Sequence, residues 1–437
     1  MYKILEVSIN GFWQKGNASS LFKEDVNIVI GDNGSGKTTF MNILHAVLAV
    51  DSEALLLNDF SSVSIKLYNG KSTKKIKATK LENDKSAYPK IEYQISTKKF
   101  SFHIGDEQSL PFSVRRRVQE ESKVVKDELS KLVSLASLSV YRIASELEVD
   151  TRERSSKRSL SPVDMRLNNL MQRLTHYQLE LSFQAREVSS KLQRDVLISL
   201  LYEKRSNEPE QGLILEFDEE TERDSILLAY KQLGLSGPDI TRRIQDHVSA
   251  ISEASRRLKK LLSTTSLASN SNDSIVENIN TEIDDSNSLD LSPFEARKRT
   301  SKVIDKSLEA EEKTKEIFCQ IEKFLAILID FIPGKLFLFA NGILEVKNNS
   351  DITIGKLSSG EKQLLILLIE TLLQKQQPYI FLADEPELSL HISWQRKIIS
   401  SIINLNPYAQ IIVATHSPEI AGKYKNRILD MRNILSV

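Results

Sequence analysis

Residues 31–39 read Gly-Asp-Asn-Gly-Ser-Gly-Lys-Thr-Thr and directly follow the apolar run Val26–Ile30. That run is short and nearly continuous, as expected of a strand buried on both faces, and Thr38–Val50 has a helical pattern. Glycines between such a strand and a helix let backbone N–H groups wrap phosphates, and the helix N-terminus adds positive potential. The alternative is a glycine turn that only joins strand to helix. The context favours a phosphate loop, with these candidate nucleotide-binding residues: Asn33, Gly34, Ser35, Gly36, Lys37, Thr38 and Thr39.

A second apolar strand, Ile380–Glu385, ends in two carboxylates. Within the phosphate loop, Lys37 is expected to contact the β- and γ-phosphates and Thr38 to hold Mg²⁺. Asp384 at the end of this strand can reach the same magnesium ion, and Glu385 can orient or deprotonate an attacking water. Alone, the two acids are explained as well by capping of the next helix. Together with the phosphate loop they predict a magnesium-dependent catalytic site.

His416 follows another apolar strand, Gln410–Ala414. A single histidine is usually structural. Here the segment Thr415–Ser417 is predicted to lie at the same edge of a parallel sheet as Asp384, where such sheets bind ligands. The pattern favours His416 as a sensor of the γ-phosphate.

Leu357–Glu361 opens a long helix. A hydroxyl, a glycine backbone and a helix N-terminus together can bind an anion, and the candidate residues are Ser358, Ser359, Gly360 and Glu361. The alternative is an ordinary capping box formed by Ser358 and Glu361. The two interpretations are compatible.

Composition limits the class of protein. The chain has 437 residues, 40% of them apolar, which is enough for two or three domain-sized units. The 59 basic and 59 acidic residues balance, so any nucleic acid contact would need a local patch. The single cysteine, Cys319, excludes an intramolecular disulfide and fits a reducing compartment. Neither a signal peptide nor a membrane span is evident, and we expect a cytoplasmic protein without a membrane partner.

Lys37 and Asp384 are 347 positions apart, so a large insertion must separate the two halves of the site. We expect residues 1–145 and 334–437 to form a head and residues 146–333 a helical arm, with a mobile Ser/Asn/Asp-rich loop at 266–292. The arm begins with apolar residues at a 3.5-residue period, typical of packed helices or a short coiled coil, at Leu167, Leu170, Leu174, Tyr177 and Leu181. The final hundred residues alternate helix and strand, which predicts a parallel sheet.

Together these segments resemble the ABC-type ATPases of the SMC, RecF and OLD-like branch. Gly31–Thr39 matches the Walker A loop, and Leu357–Glu361 is similar to the signature loop, with Ser359 where the consensus usually has glycine. Asp384 and Glu385 match Walker B and the catalytic glutamate, Glu387–His391 the D-loop and His416 the switch histidine. The resemblance covers about residues 1–143 and 336–437. The combined motifs are most like those of ATPase subunits of bacterial antiphage systems, namely Septu, including its retron-linked forms, and PARIS.

This resemblance implies an α/β fold: an ABC-type head with a mixed β lobe, a parallel-sheet RecA-like lobe and an inserted helical or short coiled-coil arm. It implies ATP and Mg²⁺ as ligands, and a homodimer or higher homo-oligomer in which two heads meet around ATP. A separate HNH or TOPRIM nuclease and a phage trigger are the expected partners. The alternative is a RecF- or SMC-like DNA maintenance ATPase that binds DNA directly.

Three further features leave alternatives open. No Q-loop glutamine is evident at residues 137–143. Phe12 and Trp13 are candidates for stacking on adenine, or they pack the first sheet. The clusters at 115–117, 152–158 and 256–260 could contact DNA or RNA phosphates, but interleaved acids favour solvated helix faces.

Overall fold

The structure is a computed structural model, and it describes residues 1–14, 16–81, 88–105, 111–139, 161–199, 218–265, 292–347, 353–388 and 390–436. The chain divides into two compact units. The head unit comprises Met1–Gln178 and Gln320–Val437, and the arm unit comprises Leu179–Cys319. The expected three-part division at residues 145 and 333 stays a prediction.

The described strands and helices are interspersed along the chain, and Phe112–Ser130 is a helix between two strands. The strands are β1 Lys3–Phe12, β2 Gly16–Leu21, β3 Val26–Ile30, β4 Ser62–Tyr68, β5 Thr73–Leu81, β6 Lys90–Ile95, β7 Lys98–His103, β8 Leu135–Ser139, β9 Leu336–Ala340, β10 Ile343–Lys347, β11 Tyr379–Asp384, β12 Ala409–Ala414, β13 Ile428–Asp430 and β14 Leu435–Ser436. The helices are α1 Lys37–Ala49, α2 Ser52–Leu57, α3 Phe112–Ser130, α4 Pro162–Ser199, α5 Glu219–Gln232, α6 Pro238–Thr265, α7 Ser292–Phe331, α8 Ser359–Leu372, α9 Ile392–Gln395, α10 Ile398–Leu405, α11 Pro418–Ala421 and α12 Met431–Ile434.

A five-stranded parallel sheet forms the centre of the head unit, in the order β13-β3-β12-β11-β8. Every residue of β11 and β12 is buried. Ile380 and Leu382 share a hydrophobic core with α1, and the alternate residues that point to the opposite face are buried too. Cover on both faces is why these strands are nearly continuously apolar, with Gln410 and Asp384 as exceptions.

A seven-stranded antiparallel sheet, in the order β14-β2-β1-β4-β5-β6-β7, covers the same core. Its strands alternate between buried and exposed positions: Val63, Ile65 and Leu67 of β4 are fully buried, while the residues between them are partly exposed or exposed. A separate hairpin, β9-β10, turns at Asn341 and Gly342, whose φ values are 50° and 80°. Asparagine and glycine are the residue types that best tolerate this left-handed backbone in a hairpin turn. The α/β class, with an antiparallel and a parallel sheet, is therefore confirmed.

The parallel sheet places three segments at one edge. Asp384 of β11 pairs with Ala414 of β12, and Ala414 pairs with Val29 of β3. Because these strands are parallel and in register, the chain leaves all three of them on the same side. The phosphate loop, Glu385 and the segment Thr415–Ser417 emerge there.

The arm unit is helical where it is described. Ile226 of α5 and Ile244 and Val248 of α6 form a small buried core, with Ile304 of α7 packed against it. The loop expected at 266–292 lies outside the described residues apart from Ser292, where α7 begins. Among the helices that the structure describes, we find none long and apolar enough to cross a membrane.

Candidate functional site

The phosphate loop is built around glycines with a left-handed backbone. Gly34 and Gly36 have φ values of 77° and 92°, which glycine adopts without strain. A Cβ on Gly36 would lie 3.0 Å from the Trp13 ring and 3.1 Å from the Phe12 ring. Gly36 also caps α1 without any side-chain hydrogen bond. The first N–H groups of α1 therefore have no side-chain partner at the cap, which suits phosphate binding.

The Lys37 side chain folds back onto the start of the phosphate loop. Its ammonium group donates to the carbonyl oxygens of Gly31 at 2.9 Å and Asp32 at 3.0 Å. Burial lowers the pKa of Lys37, and the nearby carboxylates of Glu385 and Asp384 act in the opposite direction. An anionic ligand in the loop would supply the missing negative charge next to this buried cation.

Asp384 lies at the end of β11 with only 7% of its surface exposed. The Thr38 hydroxyl lies near its carboxylate, and the carboxylate oxygen Oδ1 is buried and has no hydrogen-bond partner. Burial raises the pKa of Asp384; Thr38 and Lys37 lower it, while Glu385 and Glu387 raise it further. Carboxylate and hydroxyl oxygens are the ligands that Mg²⁺ prefers, and an unpaired buried carboxylate oxygen fits a bound cation. The structure thus brings together Thr38 and Asp384, the two predicted magnesium ligands.

Glu385 and His416 meet at the same edge and are more accessible. The distance from Glu385 Oε1 to His416 Nε2 is 3.8 Å, and the side chains are 31% and 38% exposed. Glu385 has a φ of 49°, and its backbone N–H donates to the Ala414 carbonyl at 2.8 Å. A positive φ is uncommon outside glycine and tends to occur at functional sites. This pair could contact a ligand that the loop binds.

The segment at the start of α8 lies apart from these residues. Ser358 caps α8, and its hydroxyl and the Glu361 carboxylate form the complete capping box of the alternative interpretation. Lys335 donates to Glu361 at 2.6 Å. Burial alone would raise the pKa of Glu361, but the bonds from Lys335 and Ser358 outweigh it, and the pKa is lowered. In the part of the chain that the structure describes, no hydrogen bond joins residues 358–361 to the phosphate loop; Ser359 is exposed and Gly360 buried.

Sequence reasoning missed one residue here. Glu387 was placed only within the D-loop, but its carboxylate accepts hydrogen bonds from the segment that carries His416. The only signal was position, since Glu387 comes three residues after Asp384 and thus near the same sheet edge. Of the other D-loop residues, Leu388 is exposed and Ser389 lies outside the described residues.

The structure decides some of the alternatives left open for the aromatic residues, the Q-loop and the basic clusters. Phe12 is 1% exposed and belongs to the core, so it cannot stack on adenine, whereas Trp13 is 45% exposed beside Gly36. Residues 140–143 of the expected Q-loop and 152–158 of the basic clusters lie outside the described residues. Two other clusters contain ion pairs along a helix face, which accords with solvated faces: Arg116–Glu120, Arg117–Glu121 and Arg257–Glu253. The described residues contain no group of three or more His, Cys, Asp and Glu that could hold a metal.

Two curated sequences are similar to parts of the chain. The "Retron Vc95 probable ATPase" of Vibrio cholerae serotype O1 biovar El Tor is 39% identical over 84 residues, which cover 17% of this chain and 16% of that protein. The "Retron Ec83 probable ATPase" of Escherichia coli is 33% identical over 122 residues, which cover 24% of this chain and 22% of that protein. The matches thus span less than a quarter of either relative. They bear out the expected similarity to retron-linked ATPases.

Smc head domains are among the solved structures with some similarity. One is an Smc head domain with an extended coiled coil, bound to the C-terminal domain of ScpA, from Pyrococcus furiosus. It is 14% identical in sequence, and the alignment covers 97% of this chain and 92% of that chain with a TM-score of 0.40. Another, from Pyrococcus yayanosii, includes a coiled coil and joint; it is 16% identical, covers 98% and 95%, and has a TM-score of 0.40.

The family model described as "AAA ATPase domain" matches residues 2–421, which include the phosphate loop, both carboxylates and His416. This match covers nearly the whole chain. The chain therefore belongs to the AAA ATPase domain family.

Proposed function

We propose that this protein is an ATP-binding and ATP-hydrolysing subunit of a bacterial antiphage defence complex, in which two copies meet head to head around ATP and scaffold or regulate a separate nuclease of HNH or TOPRIM type. One observation supports the proposed ATP binding and hydrolysis. The phosphate loop, the unpaired Oδ1 of Asp384 near Thr38, and the Glu385–His416 pair converge at one sheet edge. A buried cation, a buried acid and an accessible acid are the groups that phosphoryl transfer to water needs.

Each residue has a defined task in this mechanism. The N–H groups of the loop and the Lys37 ammonium bind the β- and γ-phosphates. Thr38 and Asp384 would hold Mg²⁺, which neutralises charge on the phosphate oxygens when it is bound. Glu385 orients the attacking water and takes up its proton, and His416 donates a hydrogen bond to the γ-phosphate.

The proposed dimer would bring together the two predicted phosphate-binding segments. The N-terminus of α8 makes no hydrogen bond to the phosphate loop of its own chain within the described residues. A second head can bring its Ser359 and Gly360 backbone to nucleotide in the first. Hydrolysis then removes the ligand that joins the two heads.

The defence role is supported by the names of the two retron ATPases, which match over limited segments. The decisive experiment is a mass determination of the purified chain with and without ATP, after co-expression with the neighbouring reading frame. A stable complex with a nuclease would support the defence role. A lone dimer that forms only with ATP and binds DNA would support the RecF- or SMC-like alternative instead. ATP binding with negligible turnover would make the chain a nucleotide-switched scaffold.

A further inference from the structure

We propose that Glu387 is a positioning residue, whose carboxylate holds the Thr415–Ser417 turn so that the His416 ring faces Glu385. This inference rests on the proposed ATP hydrolysis and adds a residue to it. Glu387 would not touch the nucleotide. It would act through His416.

The contacts of Glu387 are concentrated on one oxygen. Oε1 accepts hydrogen bonds from the Thr415 hydroxyl, the His416 backbone N–H at 3.0 Å and the Ser417 backbone N–H at 3.2 Å. Successive N–H groups around a carboxylate form a compact anion-binding turn, and bonds to an ionised acceptor are stronger than neutral ones. The turn is thereby tied to the residue that follows Pro386.

The same turn is held by a second group. The Ser417 hydroxyl donates to Gln395 Oε1 at 2.7 Å, and Gln395 Nε2 donates to the Leu390 carbonyl at 3.0 Å. Thr415 is 1% exposed, and its backbone N–H donates to Val29 of β3 at 3.1 Å. The turn is therefore held from the sheet, from Gln395 and from Glu387. Only the Glu387 bonds include the backbone of His416 itself.

This placement matters for the Glu385–His416 pair. The two side chains are partly exposed and 3.8 Å apart, so no burial fixes the His416 ring. Its position depends on the backbone from which it extends. A displacement of about 1 Å at a reacting group can reduce turnover about 100-fold. Removal of the Glu387 carboxylate would also leave the N–H groups of His416 and Ser417 without this acceptor.

The first test compares Glu387→Ala with Glu387→Gln. Glutamine keeps one oxygen as acceptor, so we expect it to retain kcat to within about threefold, whereas alanine should lower kcat by about 10- to 100-fold with little change in KM for ATP. Glu419→Ala is the matched control, since Glu419 lies beside the same turn but its carboxylate pairs with Arg396. Wild-type turnover in Glu387→Ala would overturn the proposal. A fall in ATP affinity without a fall in kcat would overturn it too.

A double-mutant cycle with His416→Ala tests whether the effect passes through His416. We expect Glu387→Ala to cause less than about a twofold further loss of kcat once His416 is absent, because residues that act as one unit are not additive. Additive losses would contradict the positioning role. Thermal unfolding of each variant checks that the fold is retained.

A measurement without turnover separates this inference from the proposed function. The chain has six histidines, so the ring signal of His416 can be assigned by NMR in isotope-labelled protein. We expect Glu385→Gln to shift that signal when it is the only substitution. We expect no such shift when Glu385→Gln is added to the Glu387→Ala chain. Equal shifts in both would refute positioning. If the shift is lost in the Glu387→Ala chain but the wild-type chain hydrolyses no ATP, the positioning role of Glu387 stands and the proposed ATPase activity is wrong.

Discussion

Helices α1 and α8 both begin at segments that the sequence predicts to bind phosphate, but their N-termini differ. Gly36 caps α1 with a left-handed backbone and no side-chain bond. Ser358 caps α8 with a capping box that Glu361 completes, and Lys335 holds Glu361 in turn. The first turn of α1 contains no acidic residue and has no side-chain cap, whereas Glu361 supplies a carboxylate to the first turn of α8.

This difference separates two ways of preparing a ligand site. At α1, a buried lysine and a buried aspartate with an unpaired oxygen are kept at a cost to stability, and a ligand would offset that cost. At α8, local hydrogen bonds stabilise the helix without any ligand. We infer that α1 provides intrinsic nucleotide binding and that α8 contributes only when a second copy approaches.

The largest expected effect is at α1. Lys37→Ala removes the ammonium group that contacts Gly31 and Asp32, and we expect nucleotide binding to be lost. Isothermal titration with ATP and Mg²⁺ measures this. Lys71→Ala, in the exposed turn between β4 and β5, is the control and should bind ATP normally. ATP binding by Lys37→Ala at wild-type affinity would remove the distinction between the two N-termini.

Next in size is the loss of turnover in Glu385→Gln. We expect ATP to bind and remain trapped, with kcat lower by about 100- to 10,000-fold, because the amide cannot take up a proton from water. A phosphate-release assay measures kcat, and binding of a fluorescent ATP analogue verifies that the site is intact. Hydrolysis at the wild-type rate would show that Glu385 is not the catalytic acid–base group.

A smaller effect distinguishes the two roles of Ser358. In Ser358→Asp the new carboxylate can still cap α8, but it cannot donate to Glu361 and lies next to that carboxylate, so we expect a lower melting temperature. Its charge also repels a partner's phosphates and should weaken the ATP-dependent dimer about tenfold or more. Ser358→Ala should destabilise the chain by about 1 kcal/mol without adding charge, and we expect it to leave the dimer intact. Sedimentation with ATP and thermal unfolding separate the two variants. If Ser358→Asp dimerises like the wild type, α8 has no part in nucleotide binding.

The smallest effect concerns pH. Since the pKa of Asp384 is raised, its ionised form destabilises the fold at neutral pH, and that effect disappears as the pH falls. Since the pKa of Glu361 is lowered, it stabilises the fold above its usual value of 4.5, and that contribution is lost as the pH falls below it. We expect Asp384→Asn to raise Tm at pH 7 by about 2 °C and Glu361→Gln to lower it. Melting curves from pH 4 to 8 measure both changes, and a lower Tm for Asp384→Asn at pH 7 would contradict this account.

Local patterns predicted much of the site. The glycine loop, the helix after it and the capping box depend on residues within a few positions of one another, and the structure contains all three. The sequence alone does not decide whether Phe12 or Trp13 is free to stack on adenine or packs against the first sheet. One ring is buried and the other exposed, because a strand's end determines which way neighbouring side chains point.

The sequence by itself determined which groups this protein has for nucleotide chemistry: a glycine loop with Lys37, a strand ending in Asp384 and Glu385, and His416 after another strand. Only the tertiary structure decided which of them meet. Thr38 reaches Asp384, Lys335 pairs with Glu361, and Glu387 holds the His416 turn across intervals of many residues. Such contacts depend on the register of the parallel strands and on how the two halves of the head pack, and no local propensity encodes either.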